Sequence, residues 1–119
     1  MVLNDFKEAL EALFPDEPVD YGMATSVQEK DLWDYVAFNR ETISTSDRQG
    51  FTDRINVALV REEFVPQEDI DSVIEALSAI PGVRLDPTKD IEFAYMAKPG
   101  SNAVVEMAEL PFLRARKKA

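Results

Sequence analysis

The chain has 119 residues, 45% of them apolar, with 23 acidic against 13 basic side chains and a net charge of −10. That length fits one domain with a modest core, and the acidic balance argues against a protein that grips nucleic acid, because carboxylates repel phosphates. With no cysteine and no histidine, the sequence offers no disulfide framework, no thiol chemistry and no imidazole base or metal ligand.

The start, "MVLNDFKEAL", has no basic region followed by an apolar run, so it does not read as a signal peptide. No window approaches the length of a membrane span, and the cytoplasm is the expected place of synthesis and folding.

In chain order, "LNDFKEALEALFP" predicts an amphipathic helix. Leu3, Phe6, Leu10, Leu13 and Phe14 share one face, Asn4 is a candidate N-cap with Asp5 in the first turn, and Pro15 stops the helix. A connector follows, broken by Pro18 and Gly22, with a short extended piece expected near 21–26. "DLWDYVAFNR" predicts a strand that is apolar on both faces. Glu41 to Thr52 reads as a long polar loop, and "DRINVALVREEF" as the second strand of a hairpin.

"VPQEDIDSVIEALSAIPGV" predicts a helix with Pro66 at its first position and Glu68, Asp69 and Asp71 near its positive end. Its apolar stripe is Ile70, Val73, Ile74, Leu77 and Ile80. "VRLDPTKD" is a short extended piece with a turn at Pro87. "IEFAYMA" and "AVVEMAEL" form a second hairpin around "KPGSN", and the chain then passes Pro111 into a basic end. The expected fold is α+β, in the order α-β-β-α-β-β: an antiparallel sheet of about four strands, as two hairpins, with two helices on one face. Residues 1–113 form the domain and 114–119 a flexible basic tail.

Chemistry is sparse. The loop hydroxyls Thr42, Ser44 and Ser46 have no base beside them, and Asp47 with Arg48 reads as a salt-bridge pair. There is no phosphate-binding glycine pattern and no calcium loop, so no catalytic residue, metal or cofactor is expected. Three features suggest contact instead. The polar loop has reach, and is expected to order on assembly. Trp33 and Tyr35 sit in a strand that one layer of helices cannot cover on both faces. The end carries Arg114, Arg116, Lys117 and Lys118, leaving nine basic against 23 acidic groups in the rest of the chain. Such segregation suits head-to-tail self-association.

The run "DYVAFNRETIS", the polar loop, "DRINVALVREEFVPQEDIDSVIEALSAIPGVRL" and the last strand "AVVEMAEL" resemble small tail proteins of long-tailed bacteriophages, in the tail-terminator and tail-to-head joining group. The resemblance covers roughly residues 1–113. It implies a non-enzymatic virion protein that forms a hexameric ring at the head-proximal end of the tail tube. The implied partners are other copies of the chain, the major tail protein and neck or head-completion proteins, with genome DNA passing through unbound and no membrane involved. A head-completion or neck protein is the alternative within that biology. A small ferredoxin-like ligand-binding or regulatory domain is the alternative outside it.

Overall fold

The computed structural model describes residues 2–22, 33–46, 50–98 and 100–117. The elements are α1 (Val2–Leu13), β1 (Val19–Tyr21), β2 (Tyr35–Ser46), β3 (Gly50–Glu62), α2 (Gln67–Ser78), β4 (Val83–Leu85), β5 (Glu92–Ala97) and β6 (Val104–Lys117). The strands form one six-stranded sheet in the order β1-β2-β3-β6-β4, with β5 also on β6. β1 runs parallel to β2; every other pair is antiparallel.

The expected four-stranded antiparallel sheet is therefore corrected to a six-stranded mixed one, in the order α-β-β-β-α-β-β-β. Both hairpins exist. Of the additions, β4 falls on the extended piece expected in "VRLDPTKD". β1 ends where the piece expected near 21–26 begins, and 23–26 lie outside the described residues. With three residues each, both are too short to show a period of two. β1 is held from outside: Val36 N–H donates to the Pro18 carbonyl at 3.0 Å, and Gly22 N–H donates to the Phe38 carbonyl at 2.8 Å.

The core lies between one face of the sheet and both helices. Val36 and Phe38, Ile55, Val57 and Leu59, and Ala108, Leu110 and Phe112 meet Phe6 and Leu10 of α1 and Ile70, Val73 and Leu77 of α2. Phe6 packs on Phe38 and edge-on to Phe112. The helical stripes follow the expected pattern, except that α1 starts early enough to place Asn4 inside the helix rather than at its cap.

Most of the expected loop is strand. The register runs without a gap from Thr42 opposite Arg54 to Ser46 opposite Gly50. Its polar composition misled because Thr42, Ile43, Ser44 and Thr45 are all exposed, so both faces of this end of β2 meet solvent. A β-bulge between Arg40 and Thr42 changes the side-chain phase there, so that Arg40 and Ile43 point to the same face.

The basic end is strand as well. β6 pairs with β3 as far as Lys117 opposite Gly50, and the expected boundary between 113 and 114 falls inside β6. Pro111 is tolerated mid-strand because its carbonyl points away from β3, accepting Asp86 N–H at 2.9 Å. Its missing N–H falls on that same side, opposite Asp86 just past the end of β4, so the ladder to β3 is intact.

Candidate functional site: an open sheet edge and a cationic cleft

β4 and β5 lie end to end along the outer side of β6. β5 is exposed along its whole length, and five of its six residues are uncharged. Phe93 is 47% exposed, Tyr95 64% and Met96 54%, and the exposed Phe64 and Val104 lie nearby. Lys98 N–H donates to the Ala103 carbonyl, toward β6. Alternation then turns the N–H and C=O groups of Phe93, Tyr95 and Ala97 outward, where no described strand meets them. Natural edges are blunted by lysine, proline, bulges or a covering loop, and β5 contains none of the first three.

The side chains around this edge are ordered by charge. The Tyr95 phenol is pushed up chiefly by its hydrogen bond to the carboxylate of Glu106, its cross-strand neighbour. Glu106 Oε1 also accepts Val65 N–H at 2.7 Å. Lys98 Nζ lies 2.6 Å from Glu62 Oε1. Glu92 stands directly opposite Glu109, a like-charge pair that weakens the strand pairing locally. Both line a concavity of about 490 Å³ on the helix-free face, together with Asn39, Glu41, Asn56, Thr88, Lys89 and Asp90. Its lining lacks the apolar wall of a small-molecule pocket, and no described group of carboxylates could hold a metal ion.

At the other end, on the helix face, Arg40, Ile43, Asp53, Ile55, Arg114 and Arg116 form a cleft of about 240 Å³, closed by Val2 and Leu3 of α1. Arg116 Nε donates to Asp53 Oδ2 at 2.8 Å, and its guanidinium lies 4.4 Å from the centre of the Phe51 ring. Arg40 Nε donates to the Tyr21 hydroxyl at 3.1 Å.

A third cluster is structural. Arg61 is 8% exposed, lies 2.8 Å from Glu17 and 3.4 Å from Asp69, and covers the Phe14 ring. The Glu17 contact is an ion pair without a well-aligned hydrogen bond. Burial pushes the Glu17 carboxyl up, against the pull of Arg61.

The structure separates the residues singled out in the sequence. Thr42 and Ser44 share the helix-free face of β2, and Ser44 Oγ accepts Arg54 Nη1 at 2.8 Å. Ser46 ends β2, while Asp47, Arg48 and Lys118 lie outside the described residues and Lys117 contributes its backbone to β6. Trp33 and Tyr35 are half-buried, and burial, followed by the nearby Asp20, raises the Tyr35 phenol. They are not the open aromatic surface; Phe93 and Tyr95 are. Sequence reasoning overlooked these two, although both alternating sets of "IEFAYMA" contain apolar residues, a pattern that one layer of helices cannot bury. Arg114 and Arg116 do come together, with Arg40 and Asp53.

No family model matches the chain, and no curated protein matches it. Among solved structures, it is similar to the core region of PilO from the type IV pilus system of Pseudomonas aeruginosa, at 20% identity and a TM-score of 0.40, over 82% of this chain and 93% of that one. A likeness that slight assigns neither fold nor function. The comparisons nonetheless overturn the expected place among phage tail terminators, and with it the ring that ends tail growth and the head-completion alternative. What is found is a bacterial pilus-system protein and no phage protein family.

Proposed function

We propose that this chain is a non-enzymatic assembly domain that pairs with a second copy of itself through β5. The observation that carries this reading is the six-residue exposed edge, apolar and unprotected, with its backbone groups directed outward. Two β5 strands running antiparallel about a two-fold axis at Tyr95 would bring Phe93 opposite Ala97 of the other copy. All outward N–H and C=O groups then find partners. In the same register, Glu92 falls opposite the other copy's Lys98, which offsets its repulsion from Glu109. The exposed Phe64 and Val104 flank this seam and extend the apolar surface. A contact of this kind is isologous and closes at two copies, so it builds a dimer rather than a six-membered ring.

The test is the solution mass by light scattering over a concentration series. The wild-type chain should be a dimer. Tyr95→Lys places two like charges at the two-fold axis and should give a folded monomer. Mixing it with Tyr95→Glu should restore a mixed dimer. A wild-type chain that stays monomeric at the highest concentration reached would sink the reading.

A further inference from the structure

We infer that the cleft at the end of α1 is a binding site for an acidic peptide segment. It lies at the far end of β6 from the β5 register and stands independently of the dimer.

The chemistry of the cleft is specific. Three arginines converge there in a chain whose net charge is −10. One of them, Arg116, is spent on Asp53. Arg114 has no hydrogen-bond or ion-pair partner among the described residues, and Arg40 gives only its Nε, to Tyr21. Two guanidinium faces therefore remain for carboxylates, and arginine is the side chain best shaped to hold them in pairs of hydrogen bonds.

One further feature separates a peptide from a bare oxyanion. The remaining walls, Val2, Leu3, Ile43 and Ile55, are apolar. They suit the aliphatic part of a side chain and offer nothing to a small hydrated anion. The bulge beside Glu41 matters here, because it turns Ile43 onto the same face as Arg40.

The occupant is therefore a segment with carboxylate side chains, for Arg40 and Arg114, interleaved with an aliphatic residue. The experiment is an NMR titration of the full chain with a capped Glu-Leu-Asp-Leu-Glu peptide. The uncharged Gln-Leu-Asn-Leu-Gln peptide and inorganic phosphate serve as comparison probes. Saturable shifts at Ile43, Asp53 and Arg114 with the acidic peptide alone are expected. Arg114→Ala should weaken binding about tenfold, and added salt should weaken it further. The double variant Arg40→Ala with Arg114→Ala should abolish it and leave the dimer intact. The monomeric Tyr95→Lys chain should bind as wild type does, so failure of the dimer and failure of the cleft are read separately. Equal binding of the uncharged peptide, displacement of the acidic peptide by equimolar phosphate, or no saturable shift would each overturn the assignment.

Discussion

β4 and β5 lie end to end along the same side of β6, yet they meet opposite surroundings. β4 is the less apolar of the two, with Arg84 between Val83 and Leu85, but α2 and the core cover it and Val83 is buried. β5 carries Phe93, Tyr95 and Met96 and is open throughout. Burial here follows position beneath the helices rather than hydrophobicity. Two helices of 12 residues each reach about 18 Å, whereas β6, with 14 residues, runs about 46 Å. The helices cannot cover that length. What they leave over is the apolar β5 edge at one end and the charged arm at the other.

If the covered half holds the fold and the open half holds the partner, substitutions should separate stability from assembly. The largest effect belongs to Phe112, fully buried on β6 opposite Leu85 and edge-on to Phe6. Phe112→Ala should cost about 3–5 kcal/mol in urea unfolding. A loss of stability that small edge substitutions matched would break the comparison.

Next comes Asp86, which fastens the end of β4. Its Oδ1 accepts the Thr88 N–H at 2.9 Å and the Thr88 hydroxyl at 2.6 Å, and its Oδ2 accepts Arg54 Nε at 3.1 Å. The Thr88 hydroxyl, followed by the Thr88 N–H and Arg54, holds this carboxyl below the usual aspartate range although burial opposes the shift. A depressed carboxyl stabilises the fold above its unfolded value of about 3.9, and that contribution is lost as pH falls through the folded value. Asp86→Asn should therefore lower stability at neutral pH by about 1–3 kcal/mol. It should also flatten the acid limb of the stability profile. An unchanged acid limb would mean that Asp86 does not fasten β4.

A smaller loss is expected at Gly82, which turns the chain from α2 into β4 with φ +82°. A Cβ there would be strained and would lie 3.4 Å from the Ala115 carbonyl oxygen. Gly82→Ala should cost about 1–2 kcal/mol, read from the same denaturation curves. The dimer should be unaffected, since β5 does not depend on this turn.

The elements legible in the sequence are those whose period is longer than their noise. α1 and α2 have their stripes at Phe6, Leu10, Ile70, Val73 and Leu77, and β3 alternates cleanly through Ile55, Val57 and Leu59. β4 was legible as an extended piece, but its place in the sheet, like that of β1, is set by the neighbouring strand that holds it, a tertiary cause that three residues cannot announce. The polar strand ends failed for a related reason. Thr42, Ile43, Thr45, Phe51 and Thr52 all favour strands, but the β2 residues are exposed on both faces and no apolar alternation marked either strand end. Of the sites, Arg114 and Arg116 were visible as charge. Their convergence with Arg40 and Asp53 depends on a bulge and on the register between β3 and β6, neither of which is written locally. The Arg61 cluster was invisible for the same reason: Glu17 lies in the connector after α1, Arg61 in β3 and Asp69 in α2.

The smallest effect sharpens the open side of the comparison most. Tyr95→Phe removes only the hydroxyl that donates to Glu106, at a position open to water. Glu106 keeps its bond from Val65 N–H, so the loop before α2 should stay in place. Unfolding midpoints should match those of the wild type, and the dimer should persist, because the ring and the backbone groups at the two-fold axis remain. The change should appear in the alkaline absorbance titration. Tyr95 is held up by its bond to Glu106 and Tyr35 by burial, so both should ionise above the usual tyrosine range of about 10. Tyr95→Phe should remove one of these two late steps. Because the folded state favours the neutral phenol, the stability that Tyr95 contributes is present below the ordinary tyrosine value and is lost as pH rises through the raised one. If Tyr95→Phe dissociated the dimer as completely as Tyr95→Lys, the hydroxyl would be holding the contact, and the apolar, backbone-paired edge would be the wrong description of β5.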